Sequence, residues 1–180
     1  MRFLLNDSLL LLIDLQSKLI PAMAEKESLI LRNQKLLEGL NALELPIIAT
    51  EQYPEGLGAT VSEIAPLLMG AQVFAKKAFS AVDDAAILAA LQKSGRNNVI
   101  LTGVESHVCV QQTAIDLVAK GFNVMVLVDC ISSRNLADKK IALKRFAAEG
   151  ILLGTSESLL FELTRAATHP SFRTISKIVK

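Results

Sequence analysis

The stretch Val99-Ile-Leu-Thr-Gly-Val-Glu-Ser-His-Val-Cys-Val-Gln-Gln-Thr-Ala-Ile-Asp-Leu-Val-Ala-Lys120 carries the pattern on which the fold turns. Its opening, Val99–Leu101, is apolar at every position, as a parallel strand covered on both faces must be. Further on, Ala114, Ile115, Leu117 and Val118 recur at helical spacing and predict a helix over Gln111–Lys120. The same signals repeat on either side. Apolar runs at Leu9–Ile13, Pro46–Ala49, Gln72–Ala75, Val124–Val128 and Ile151–Leu153 are each bounded by polar or turn residues. Helical stripes lie between them: Leu29, Leu36, Leu37, Leu40 and Leu43; then Ala86, Leu88, Ala89 and Leu91; then Ala142, Phe146 and Ala147, closed by Gly150. This alternation predicts an α/β fold: a three-layer, doubly wound sheet of about six parallel strands in the order 3-2-1-4-5-6, with helices on both faces.

With 180 residues, one domain spanning 1–180 is expected, and a chain of that size buries about 70% of its surface without a disulfide or metal staple. Lys and Arg total 19 against 18 Asp and Glu, for a net charge of +1, and the 7 Phe, 1 Tyr and no Trp make a poor base-stacking platform. Nucleic acid binding is therefore not expected. The early run Leu9–Ile13 is far shorter than the roughly 20 residues of a membrane span or the roughly 7–15 of a signal core. Neither a membrane segment nor a leader is expected, which points to the cytoplasm. Cys109 and Cys130 form no CxxC, and His107 and His169 are too few for a histidine-rich metal site, so no metal or cofactor is expected. Gln52–Gly58 is the longest loop signal, and the tail after His169 reads as a loose or partner-bound end. A hydrophobic content of 51% is compatible with a buried subunit interface and hence a homo-oligomer.

In doubly wound folds the ligand crevice lies beyond the carboxyl ends of the strands. That makes Asp14, Thr50–Gln52, Lys76, Gly103–Cys109, Asp129 and Gly154–Ser156 the candidates. Familiar signatures are missing. Gly56-Leu-Gly58-Ala-Thr-Val61 lacks the last small residue of a dinucleotide loop, Gly154-Thr-Ser156-Glu-Ser158 lacks a glycine of the nucleophile elbow, and no phosphate-binding GxxxxGK[ST] occurs. Cys109, by contrast, falls in the first turn of the helix it precedes. Free N–H groups and the helix dipole there favour a thiolate with a lowered pKa. A small buried core residue is the competing reading.

Asp14 in LLLIDLQ, Lys76 in FAKKAFSA and Cys109 in GVESHVCV together resemble the isochorismatase-like cysteine hydrolases, a superfamily that includes nicotinamidases and N-carbamoylsarcosine amidases. The match runs from Leu9 to about Leu160, and TEQYPEGLG and VDCISSR look like a metal-free subgroup. The resemblance implies that Cys109 is the nucleophile, Asp14 the general base and Lys76 the cation that steadies them. It implies an oxyanion hole from the backbone N–H groups of Glu105 and Cys109, with a cis peptide at Val104–Glu105 turning the Glu105 N–H inward. It implies a small-molecule substrate with a C–N bond, amide or carbamoyl, opened through a thioester. Gln16, Glu51 and Tyr53 follow the first and second strands and are expected to line the pocket. Metal-using relatives carry an Asp-x-His pair where this chain has Thr50-Glu51-Gln52-Tyr53, so a nicotinamidase-type metal pocket is not expected.

Competing roles remain for each residue. Asp14 is also placed to cap a helix after the first strand. The pair Lys76-Lys77 reads equally as a solvated surface. His107 lies two residues from Cys109, a spacing that does not face it on a helix. Cys130 reads as core at a strand end, and Ser132, Ser133 and Arg134 as the cap and flank of the next helix. Two alternative functions stand beside the amidase: vinyl-ether hydrolysis with Asp14 as acid, and a non-catalytic scaffold.

Overall fold

A computed structural model describes residues 1–180. Strand β1 (Ser8–Ile13) is buried at every position. Successive side chains of a strand point to opposite faces, and here both faces are dry. Leu10 and Leu12 enter one hydrophobic cluster, while Leu9, Leu11 and Ile13 enter the other. That is why the run is apolar throughout instead of alternating. Fully burying five such side chains contributes about 10 kcal/mol before the entropy of ordering them is subtracted.

Five further strands, β2 (Ile47–Gln52), β3 (Gln72–Lys76), β4 (Asn98–Val104), β5 (Asn123–Ser132) and β6 (Leu152–Gly154), complete the sheet. Their order is β3-β2-β1-β4-β5-β6 and every pair is parallel, as the alternation predicted. Helices α1 (Lys26–Ala42), α6 (Ser156–Thr164) and α7 (Phe172–Ile178) cover the Leu10/Leu12 face. Helices α3 (Ala85–Lys93), α4 (Cys109–Ala119) and α5 (Leu136–Ala148) cover the other. A single turn, α2 (Pro54–Leu57), sits within the expected loop.

The differences from expectation lie at the ends of elements. Strands β4 and β5 run past their apolar runs because Thr102 pairs with Leu12 and Ser132 with Val104, with a register shift between Leu101 and Gly103 that passes over Asp129. Cys130 consequently lies inside β5 and not at its end. The α5 cap is Asn135, whose side chain accepts from the Ala137 N–H at 2.9 Å; Ser132, Ser133 and Arg134 bond elsewhere. The tail is not loose. It forms α7 and buries Ile175 in the α1/α6 face.

Candidate active site

Asp14 is the residue immediately after β1 and adopts φ 51°. No helix begins there, so its side chain is not a cap. The sheet register pairs Ile13 with Thr50, which sets Thr50 beside it. The Asp14 N–H donates to Thr50 O at 3.1 Å, and Thr50 Oγ1 donates to Asp14 Oδ1 at 2.6 Å. Lys76 ends β3, and its side chain reaches past β2 to put Nζ 2.7 Å from Asp14 Oδ2; both side chains are wholly buried. Its neighbour Lys77 is exposed, so the two lysines divide into one buried and one solvated. The Lys76 ammonium also donates to Gln52 Oε1 (2.6 Å), Ala78 O (3.2 Å) and Phe79 O (3.3 Å). Asp14 Oδ2 lies at ion-pair distance but outside hydrogen-bonding angles, and it has no other partner. One carboxylate oxygen is thus fixed by Thr50, while the other is held by charge alone and can take a proton.

The nucleophile candidate comes from the opposite side of β1. Gly103 closes β4 against it with φ 110°; a Cβ there would lie 1.9 Å from Ile13 O, so only glycine lets the two strands meet. The Val104–Glu105 peptide is cis. The chain then turns, and Cys109 opens α4, 7% exposed. The N–H groups of Val108 and Val110 both donate to Glu105 O (3.1 and 3.2 Å), whereas those of Glu105 and Cys109 donate to no protein acceptor. The Glu105 carboxylate accepts from Arg134 N (3.0 Å) and Nε (3.1 Å), tying the turn to the loop after β5. His107 faces away from Cys109: Nδ1 lies 2.9 Å from Ser133 Oγ and Nε2 lies 4.0 Å from Asp138 Oδ2.

The thiol interacts with both Lys76 and Asp14, and its pKa corrects the expectation of a resting thiolate. Burial pushes it up, the Lys76 ammonium pulls it down, and the Asp14 carboxylate pushes it up again, to about 11. Desolvation outweighs what a helix N-terminus supplies. Cys109 is a protonated thiol at neutral pH, beside a carboxylate able to accept that proton.

The expected pocket residues separate. Tyr53, 51% exposed, lines a cavity of about 380 Å³ with Pro54, Lys76, Ala78, Asp83 and Asp84. Gln16 and Glu51 do not line it, and of Asp14, Lys76 and Cys109 only Lys76 does. Gln16 is fully buried: its Nε2 donates to Gln52 O and Gly58 O, and its Oε1 accepts from Gln52 N. Glu51 Oε1 accepts from the N–H and Oγ1 of Thr60 (2.7 and 2.8 Å). Both brace the loop that carries Tyr53. A larger groove of about 630 Å³ lies beside α3, lined by Leu9, Ile47, Gln72, Ala89 and Arg96, and contains none of Asp14, Lys76 or Cys109. No cluster of three His, Cys, Asp or Glu side chains is spaced to hold a metal ion, and the carboxylate and amide of Glu51 and Gln52 are already engaged. Thr50 and Gln52 join the site without having been singled out individually. Both fall in the Thr50–Gln52 stretch expected at the ligand-binding end of the sheet, and the β1–β2–β3 register distinguishes them by setting them beside Asp14 and Lys76.

A doubly wound parallel sheet with a carboxylate, an ammonium and a thiol gathered at the carboxyl ends of β1, β3 and β4 defines a class of α/β domains with a cysteine at the ligand-binding end of the sheet. Comparison with known proteins narrows this. The isochorismatase domain model matches residues 8–158. The chain is 43% identical over 168 residues to isochorismatase domain-containing protein 1 of Danio rerio, covering 93% of this chain but only 59% of that relative. Its fold is also that of the MAR1 ribonuclease of Caenorhabditis elegans (TM-score 0.91, 36% identity, 99% of this chain and 92% of that one). A third match is the YcaC gene product of Escherichia coli, described as an octameric hydrolase of unknown specificity (TM-score 0.89, 25% identity, 98% and 95% covered). The chain belongs to the isochorismatase family and has the fold of its hydrolases. No helix is long and apolar enough to cross a membrane.

Proposed function

We propose that this protein is a metal-independent cysteine hydrolase that opens a C–N bond, amide or carbamoyl, in a small molecule. The observation that carries the proposal is the buried contact of Asp14, Lys76 and Cys109, with Nζ and Oδ2 2.7 Å apart and the thiol coupled to both. As Cys109 Sγ attacks the carbonyl carbon, its proton passes to Asp14 Oδ2. The oxygen that gains charge lies against the unengaged N–H groups of Glu105 and Cys109. Collapse breaks the C–N bond while Asp14 returns the proton to the leaving nitrogen, which leaves a thioester on Sγ. Water then gives a proton to Asp14 and attacks the thioester; the C–S bond breaks and Asp14 reprotonates the sulfur. Lys76 lies against Asp14 Oδ2 and offsets the charge that forms beside it.

Residues 1–180 act as one domain in this proposal, with Tyr53 contacting substrate at the cavity mouth. The carboxylates of Glu55, Asp83 and Asp84 line the same cavity and outnumber its one unpaired cation, Lys77, since Lys76 is paired with Asp14; the net negative charge favours a small neutral or cationic amide over RNA. The octameric relative supports assembly as a homo-oligomer. The test is mass spectrometry of the intact protein incubated with panels of small amides, ureas, carbamoyl compounds and esters. An acyl adduct mapping to Cys109, absent from Cys109→Ala, supports the proposal. Turnover that survives Cys109→Ala, as a vinyl-ether hydrolase would show, overturns it; so does the absence of any adduct or turnover across the panel.

A further inference from the structure

We infer that Thr113 is a positioning residue for the Lys76 ammonium, an inference that rests on the cysteine-hydrolase proposal and extends it. Thr113 lies four residues after Cys109 on α4, on the same helix face one turn away, and is wholly buried. Its Oγ1 accepts from the Ala81 N–H at 2.9 Å. Ala81 begins the 3-10 turn Ala81–Asp83, separated from Ala78 and Phe79 only by Ser80. The carbonyls of Ala78 and Phe79 are two of the acceptors that hold Lys76 Nζ.

A lysine ammonium sits on a four-carbon stem with three rotatable donors, so its direction is set by whatever accepts from it. Gln52 Oε1 fixes it from β2, and the Ala78 and Phe79 carbonyls fix it from the loop after β3. That loop is fastened to α4, the helix that carries the nucleophile, by the Thr113 hydroxyl. A single buried hydrogen bond therefore couples the placement of the cation to the placement of the thiol. Removing the hydroxyl leaves the buried Ala81 N–H without a partner, frees the carbonyls to shift, and lets Nζ move away from Asp14 and Cys109. The thiol then loses the one large influence that lowers its pKa.

A hydroxyl that merely stabilises the fold would not move the titration of Cys109. Thr164 supplies the comparison. It is equally buried, and its Oγ1 donates to Leu160 O at 2.6 Å within α6, on the opposite face of the sheet. The experiment measures iodoacetamide labelling of Cys109, mapped by peptide mass, from pH 7 to 11 in the full chain, together with thermal unfolding. Thr113→Val is expected to label about five- to tenfold more slowly than wild type at pH 9, with the rising limb of its profile displaced to higher pH. Thr113→Ser is expected to stay within about twofold of wild type. Thr164→Val is expected to lose thermal stability with an unchanged profile. If Thr113→Val does not fold, Thr113→Ala takes its place against Thr113→Ser. A valine or alanine profile that coincides with wild type overturns the inference, as does an equal shift in Thr164→Val. Lys76→Met separates this failure from that of the parent proposal. If it moves the profile while Thr113→Val does not, only the role of Thr113 falls; if it does not, the coupling behind the proposed site falls with it.

Discussion

The two cysteines of this protein are alike in most of what is usually asked of a reactive thiol, and only one of them lies beside a buried ammonium and a buried carboxylate. Both are free and buried, and burial raises the pKa of each above that of an ordinary thiol. Cys130 sits inside β5, in the core shared with α1 and α6, where Asp129 adds to the upward push and only weaker contacts oppose it. Cys109 opens α4 within contact of a buried ammonium and a buried carboxylate. The lesson is that neither a helix mouth nor a lowered pKa marks the candidate nucleophile here. The mark is a base with one unbonded oxygen and a cation to steady it.

The contrast can be broken most sharply by deleting each sulfur. Cys109→Ala is expected to abolish hydrolysis, a loss of about 10³-fold or more. Cys130→Ala is expected to leave the rate within about threefold while costing stability through the small cavity it opens. Steady-state rates with any substrate found by the adduct screen check both, and equal losses would erase the distinction.

Next in size is the cation. Lys76→Met strands the wholly buried Asp14 carboxylate, and removing one partner of a buried pair costs about 3–5 kcal/mol. Urea unfolding measures this. A cost below about 1 kcal/mol would mean that water already reaches the pair.

Alkylation distinguishes the thiols by pH. With a pKa of about 11, Cys109 should label about 100-fold faster at pH 10 than at pH 8, with no plateau near neutrality. Cys130, with no exposed surface, should label only on unfolding. A flat profile for Cys109 across pH 7–8 would restore the resting thiolate.

The smallest effect is on alkaline stability. The folded thiol of Cys109 keeps its proton to about pH 11, whereas the unfolded one releases it near pH 9.0. Between those values the unfolded state binds fewer protons, so unfolding free energy falls as pH rises, by about 2 kcal/mol from Cys109 alone between pH 8 and 10.5. Urea melts at the two pH values should show Cys109→Ala losing less than wild type by that amount.

Much of this architecture is written locally. The unbroken Leu9–Ile13 run demands a strand covered on both faces, and the six apolar runs with helical stripes between them yield the sheet order. Asp14, Lys76 and Cys109 are visible because each follows such a run at the end where ligands bind. What stayed hidden depends on register and on burial. Thr50 and Gln52 matter because parallel pairing sets them beside Asp14 and Lys76. Gln16 and Glu51 look like pocket residues until the loop they brace folds back over them. Asn135, not Ser132 or Ser133, caps α5 because β5 runs on past its apolar stretch. The helix dipole at Cys109 can be seen in the sequence, whereas the water taken from the thiol, which raises its pKa, cannot.

The raised proton affinity of that sulfur also bears on chemical damage. Peroxide attacks the anion, and at neutral pH a thiol of pKa about 11 offers roughly one anion in 10,000 molecules. In the proposed mechanism the sulfur is freed only when a carbonyl arrives, which limits its exposure to the sulfenic and sulfinic oxidation that reaches low-pKa cysteines.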